Sequence, residues 1–176
     1  MSAEASGRTF VPLLTPAERA SLSTRAGQVV EYRKSGLSLN HVMGCPLDCA
    51  YCIRHAYGAW DLRAPRAVMS DVDAVTELLA HPYFRVHRTP VQIFNRATDP
   101  FLPRVKDHLF AVLEDLDARG LTNHVLVITR YRVREEDCER LTRLSHLRVT
   151  LLFTRSGIDD ARILSLIHIS EPTRPY

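Results

Sequence analysis

The sequence predicts an α/β protein, with a sheet of about four parallel strands covered by helices. Segments of strand length alternate with segments of helical periodicity from residue 37 onward. The later strand segments are apolar throughout, a pattern typical of parallel strands that are buried on both faces. Turn-forming residues separate the segments, as in the Pro-bracketed stretch ATDPFLP.

The first half of the chain contributes two helices and one strand to this prediction. Residues 1 to about 35 are expected to be irregular apart from a short helix in TPAERASL, where Thr15 is the N-cap and Pro16 the first helical residue. Residues 37–43 alternate as a strand does. A cysteine-rich loop follows, and a helix is then predicted from its cap at Ser70 to Pro82, which lies just past its end.

The second half continues the alternation of strand and helix. The predicted elements are strands at 91–95, 124–130 and 147–155, helices at 104–120 and 134–146, and the start of a further helix in GIDDARIL. In such folds ligands bind at the carboxyl ends of the strands. The cysteine loop, the NRATDP turn and the end of VITR are therefore expected at one edge of the sheet.

The composition indicates one ordinary soluble domain. The 176 residues are 45% hydrophobic and 24% charged, which is enough apolar material for a sizeable core and excludes disorder as the default. The net charge of +3 fits an anionic ligand or nucleic acid and also fits many enzymes. We find no secretion signal and no run of roughly 20 apolar residues, so we expect a cytoplasmic protein with no membrane contact and reduced thiols.

Cysteines are concentrated in the stretch GCPLDCAYC. Cys45, Cys49 and Cys52 have the spacing C-x3-C-x2-C, which can turn three sulfurs toward one centre. Thiolates are the preferred ligands of iron–sulfur clusters and of zinc. Because a structural zinc site usually has four protein ligands, either a histidine completes a zinc site or the metal keeps one position open.

This stretch resembles the signature loop of the radical S-adenosylmethionine (radical SAM) enzymes, including the aromatic residue Tyr51 before the last cysteine. The resemblance implies a 4Fe-4S cluster on Cys45, Cys49 and Cys52, with S-adenosylmethionine on the open iron and its adenine beside Tyr51. It implies reductive cleavage to a 5'-deoxyadenosyl radical that abstracts hydrogen from a substrate. An electron donor such as flavodoxin or ferredoxin is the implied partner, and a (β/α) barrel is the implied fold.

The likeness extends over roughly residues 36–155. GLSLNHVMGCPLDCAYC, NRATDPFLP and VLVITR together are similar to the branch that includes spore photoproduct lyase. That similarity implies that Asn95, Thr98 and Asp99 lie near the methionine part of S-adenosylmethionine or near the substrate. Where the branch has a Thr-Lys pair, this sequence has Thr129 and Arg130.

Other interpretations remain open at this stage. His55 makes a C-x2-C-x2-H series with Cys49 and Cys52, and His41 is another candidate ligand, so the alternative is a non-catalytic zinc-binding module with nucleic acid as a candidate partner. Asp99 has the plain role of a turn-former whose carboxylate binds nearby backbone amides. Cys138 is expected to be a semi-buried helix residue.

Three regions are expected along the chain. We expect residues 1–36 to be an N-terminal extension and residues 37–163 to be the N-terminal part of the radical SAM core. Residues 164–176 include LSLIHISEPTR, which matches the translation of a widely used sequencing adapter, so we expect this tail not to be native. The barrel is then expected to be incomplete, with residues 147–155 as an apolar edge strand.

Overall fold

The computed structural model describes residues 10–47, 49, 52, 63–96 and 98–153, with the side chains of residues 25 and 26 left aside. The helices in chain order are α1 (Pro16–Ala20), α2 (Thr24–Gly27), α3 (Asp71–Ala80), α4 (Lys106–Ala118) and α5 (Glu135–Thr142). The strands are β1 (Val30–Arg33), β2 (Gly36–Leu39), β3 (Val42–Met43), β4 (Arg66–Ala67), β5 (Val91–Ile93), β6 (His124–Thr129) and β7 (Arg148–Phe153). The expected helix in GIDDARIL and the tail 164–176 lie outside the described residues.

The main sheet has five strands in the order β1-β2-β5-β6-β7. Strands β2, β5, β6 and β7 are parallel, which confirms the predicted α/β class and its four parallel strands. β1 pairs antiparallel with β2, so the sheet is mixed. Among the described strands it is open, with β1 and β7 at its edges. β3 and β4 form a separate antiparallel pair.

One face of the main sheet is buried beneath helices. Its in-register apolar side chains include Leu39, Ile93 and Val127, each wholly buried. α3 contacts α4 as well as β1 and β2, and contributes Ala74, Val75 and Leu78 to the core. α4 contributes its apolar stripe at the spacing that the sequence predicts. Burial of these stripes provides the main apolar stabilisation of the fold.

The opposite face is more polar. Ser38, Gln92, Leu126 and Thr150 lie side by side across β2, β5, β6 and β7. Their exposure increases along this row, because Ser38 is buried whereas Thr150 is exposed. The polar side chains on the β2–β5 side of this face are therefore more buried than the one on β7.

Two predictions for the N-terminal half were wrong. Residues 24–27 and 30–33, expected to be irregular, form α2 and β1, and β1 reaches β2 through a tight turn. The strand expected over 37–43 is divided, because the chain leaves the parallel sheet after Leu39 and pairs with β4 at Val42 and Met43. The amide of Asn40 then donates to the carbonyl of Val29 rather than to β5.

Gly36 explains how β2 can begin so close to the start of β5. Its φ is +136°, a conformation that residues with a side chain rarely adopt. A Cβ at this position would lie 2.2 Å from the carbonyl oxygen of Pro90, just before β5. A side chain here would therefore displace the start of β2 from β5.

The later elements agree with prediction in type and order, and differ at their ends. Ser70 caps α3, and Gly120 follows α4 with a φ of +70°. α5 ends at Thr142 and so is shorter than expected, and Cys138 on it is exposed rather than semi-buried. None of the helices in the described part of the chain has the length and apolar character needed to cross a membrane.

Candidate functional site

The three clustered cysteines lie on the segment between β3 and β4, residues 44–65, which we call the cysteine segment. It begins at Gly44, whose φ of +95° turns the chain away from β3. Cys45 is buried, and Cys49 and Cys52 are half-buried. The amide of Cys52 donates to the carbonyl of Cys49 at 2.8 Å, so these two residues share a tight turn. All three are thiols rather than disulfides.

The distances between the three cysteine sulfurs are relevant to metal binding. Within the described residues, the only three His, Cys, Asp or Glu ligand atoms that lie within 4.8 Å of one another belong to His41, Asp71 and His108. At least one pair of cysteine sulfurs is therefore more than 4.8 Å apart. Ligands around a single tetrahedral zinc, with Zn–S near 2.3 Å, are about 3.8 Å apart. The three sulfurs, as they lie in the structure, are therefore not gathered around one metal-binding point.

The other residues singled out from the sequence lie where β5 and β6 end. Asn95, Thr98 and Asp99 follow β5, and Thr129 ends β6. The buried hydroxyl of Thr98 has no hydrogen-bond partner among the described residues. The structure therefore brings the NRATDP turn and the end of VITR to one edge of the sheet, as expected. Tyr51 and His55 lie outside the described residues.

Asp99 is engaged by protein donors on both carboxylate oxygens. Oδ1 accepts from the hydroxyl of Thr129 at 2.6 Å and from the amide of Phe101 at 3.0 Å. Oδ2 accepts from the amide of Arg130 at 2.9 Å. The turn after β5 is thereby attached to the end of β6. This geometry matches the turn-forming role that the sequence also allows for Asp99.

Asn95 belongs to a chain of polar side chains on the open face of the sheet. Its Oδ1 accepts from Ser38 Oγ at 2.7 Å, and its Nδ2 donates to Gln92 Oε1. Ser38 Oγ also accepts from Asn40 Nδ2 at 2.6 Å. The Oδ1 atom of Asn40 is buried and has no partner among the described residues. One acceptor at this edge thus remains available to a donor from a ligand or from water.

Charged groups reinforce the same corner of the sheet. Arg96, directly after Asn95, donates to Glu31 Oε1 at 2.8 Å and to the carbonyl of Gln28 at 3.1 Å. Arg33 binds the other oxygen of Glu31. Glu31 is 8% exposed, so these ion pairs are partly desolvated and are stronger than ordinary surface pairs. They attach β1 to the turn that follows β5.

A second cluster of chemically active side chains lies beneath the start of the cysteine segment. His41 Nε2 and His108 Nδ1 each lie 2.7 Å from Asp71 Oδ1. The side chains of His41, Asp71 and His108 are 0%, 16% and 6% exposed. We call these three residues the His–Asp–His cluster. It joins the connection between β2 and β3, the first residue of α3 and the body of α4.

The hydrogen bonds define which atoms of the cluster carry protons. The amide of Val11 donates to His108 Nε2 at 3.0 Å, so that nitrogen is the acceptor and Nδ1 carries the proton donated to Asp71. Burial lowers the pKa of His41, and its bond to Asp71 offsets this only in part. Burial raises the pKa of Asp71, but the bonds from His108 and His41 outweigh it and hold that pKa below its usual value. The cluster is an aspartate between two neutral imidazoles.

This protonation pattern argues against a metal ion in the His–Asp–His cluster. A metal on His108 Nδ1 would require the ring proton to move to Nε2. That proton would then face the amide proton of Val11, and one buried donor would lose its acceptor. The three ligand atoms are therefore better described as a hydrogen-bonded cluster than as a metal centre.

Sequence reasoning noted His41 only as an alternative zinc ligand and did not single out Asp71 or His108. Asp71 is 30 residues from His41 and 37 from His108 along the chain, too far for any motif spacing. The one available signal was a histidine within the apolar run LNHVM, which indicates a buried, hydrogen-bonded imidazole.

Comparison of the chain with protein-family models, with curated proteins and with solved structures yields no match.

Proposed function

We propose that this chain belongs to a radical SAM enzyme of the spore-photoproduct-lyase-like kind, in which Cys45, Cys49 and Cys52 bind a 4Fe-4S cluster. The observation that carries the proposal is the C-x3-C-x2-C spacing on a segment that begins just after β3, a few residues beyond the carboxyl end of β2 in a mostly parallel sheet. Ligands of α/β proteins bind at this edge. Three thiolates leave one iron of such a cluster open for S-adenosylmethionine.

Each of the protein's own groups at this edge has a distinct task in the proposal. The thiolates hold the cluster, which when bound supplies the electron for reductive cleavage of S-adenosylmethionine. Thr98 and Asn40 offer buried polar atoms without a partner among the described residues, which suits hydrogen bonds to the amino acid part of that cofactor or to the substrate. Asp99 acts as a positioning residue, because both of its oxygens bind protein donors.

The remaining parts of the proposal concern the setting of this edge. We propose that the mixed sheet is the first part of a (β/α) barrel, whose interior would be the face that carries Ser38 and Gln92. A barrel interior excludes water from reactive species. Reduction requires an external one-electron donor, for which flavodoxin or ferredoxin is suitable. We assign the protein to the reducing cytoplasm, where cysteines remain available as thiolates.

The zinc-binding alternative has weaker support. His41, one of its candidate ligands, bonds to Asp71 rather than completing a cysteine site. No geometric feature of the described residues favours nucleic acid as a partner over other ligands.

Anaerobic purification followed by iron and sulfide analysis tests the proposal. We expect a brown chain with about four iron atoms and broad visible absorbance. Cys49→Ala should lose the colour and most of the iron, since three thiolates are needed to hold the cluster. Cys138→Ala, which removes an exposed thiol on α5, is the matched control and should retain both. A colourless wild-type chain that contains stoichiometric zinc would refute the proposal.

A further inference from the structure

The cysteine segment leaves and rejoins the fold at one place. β3, just before it, pairs antiparallel with β4, just after it, through Val42 with Ala67 and Met43 with Arg66. The two ends of the segment are thus adjacent. A ladder of two residues is a weak closure, and closing a loop of this length costs chain entropy that contacts at its base must offset.

Two further bonds to His41 reinforce this base. The carbonyl of His41, before β3, accepts from the amide of Val68, after β4, at 2.7 Å. The imidazole of His41 binds Asp71, which opens α3 three residues beyond Val68. His41 on the incoming side is therefore attached to the outgoing side twice, once through the backbone and once through its side chain.

The side-chain bond is strong because it is buried and involves a charge. His41 is fully buried, and a hydrogen bond to a carboxylate gains strength where solvent is excluded. Asp71 is the first residue of α3, where the helix dipole stabilises a negative charge. The other titratable group that faces Asp71 is His108 of α4, which holds the carboxylate from the core side.

The His–Asp–His cluster also contacts the residue that follows β5. The His41 ring packs against the ring of Phe94 with 5.0 Å between centroids. Phe94 follows β5, is 1% exposed and has a φ of +53°, which is unfavourable for a residue with a side chain. Its amide donates to the carbonyl of Leu39. The same imidazole thus contacts the residue that leads into Asn95.

From this geometry we propose that Asp71 is a positioning residue for the cysteine segment, which it closes at the base through His41 so that the three thiolates are preorganised for the metal cluster. This inference rests on the proposed function, since it assumes that Cys45, Cys49 and Cys52 bind the 4Fe-4S cluster. It adds a residue that makes no contact with the cofactor and acts through the ends of the segment.

The test compares Asp71→Asn with Glu77→Gln in the 176-residue chain. Both replace a carboxylate by an amide on α3, but Glu77 is exposed. In the metal-free chain we expect hydrogen exchange in residues 42–43 and 66–68 to accelerate roughly tenfold or more for Asp71→Asn, because a charged acceptor is lost. Exchange in β6 should change much less. In the reconstituted chain, iron loss to a chelator should be several-fold faster. Glu77→Gln should match the wild type in every measurement.

Three results would overturn the inference. The first is uniform acceleration of exchange in all strands, which would make Asp71 a contributor to overall stability only. The second is wild-type iron retention in Asp71→Asn. If Asp71→Asn does not fold, His41→Phe replaces it, because this variant keeps a ring against Phe94 but removes the donor. The same changes in exchange and iron loss are expected for it. The third result is global unfolding of both variants. If the wild type binds no iron at all, the proposed function fails instead, and the exchange measurement still reports on closure of the segment.

Discussion

Asp71 and Asp99 both tie together separate parts of the carboxyl edge, but they do so with different donors. Asp99 accepts from two backbone amides and a hydroxyl, none of which titrates in the neutral range. Asp71 accepts from two imidazoles, and burial lowers the pKa of one of them, His41. The turn after β5 is therefore held by contacts that do not depend on donor protonation, whereas the base of the cysteine segment is held by contacts that do.

Asp99→Ala is expected to have the largest effect on stability. It leaves two buried donors, the Thr129 hydroxyl and the amide of Phe101, without this acceptor and also removes the bond from the amide of Arg130, and a buried donor without a partner costs about 1–3 kcal/mol. We expect a loss of about 3 kcal/mol or more in the free energy of unfolding, measured by urea denaturation. Asp115→Ala, which removes an i,i+4 ion pair with Arg119, should cost less than about 1 kcal/mol. Equal losses in the two variants would contradict the role given to Asp99.

Thr129→Val should have an intermediate effect and isolates one donor of the Asp99 site. The hydroxyl donates to Asp99 at 2.6 Å and accepts from the amide of Tyr131 at 3.0 Å. Valine has a similar shape and cannot make either bond, so we expect a loss of about 1–2 kcal/mol. The loss should be the same at pH 5.5 and 7.5, since no donor titrates. A pH-dependent loss would remove the contrast between the two aspartates.

The smallest expected effect concerns His41→Phe, whose loss in the free energy of unfolding should depend on pH. The folded protein holds the pKa of His41 below its ordinary value of 6.5, so the unfolded chain is protonated first as the pH falls. The stability contributed by a neutral His41 is therefore complete above pH 6.5 and declines below it. The free energy of unfolding that His41→Phe loses should therefore be smaller at pH 5.5 than at pH 7.5. The decrease is at most about 1.4 kcal/mol for each pH unit below 6.5.

Urea denaturation of both proteins across that range measures this difference. His146→Phe, at an exposed histidine between α5 and β7, is the control, and its cost should not shrink in the same way. A cost of His41→Phe that grows as the pH falls would mean that the folded state prefers a charged imidazole.

The sequence was sufficient for most of the fold. Four parallel strands and the helices between them follow from alternating or continuous apolar runs of strand length and from a helical period of about 3.6 residues, and Thr15 and Ser70 cap their helices as expected. β1 was missed although Val30–Arg33 alternates apolar and charged residues as a half-buried strand does. The division of the strand over 37–43 was missed because both halves keep the same alternation while pairing with different partners.

The candidate site was predictable only where its residues are close in sequence. The three cysteines are recognisable from their spacing, and the placement of Asn95, Thr98 and Asp99 at the carboxyl edge follows from the alternation of strand and helix. The hydrogen bond between Thr129 and Asp99, two candidate residues 30 positions apart, was not foreseen. Side-chain bonds of this kind depend on how strand ends meet in space.

By itself the sequence determined the α/β class, the helix caps and a cysteine-rich segment after the first predicted strand. The tertiary structure alone decided that His41, Asp71 and His108 meet beneath that segment, and that Asp99 binds protein donors on both oxygens. The physical reason is the separation along the chain of the residues that interact. Strand and helix patterns arise from contacts within a few residues, whereas a buried carboxylate acquires its partners only when packing of separate elements excludes water and leaves specific donors within reach.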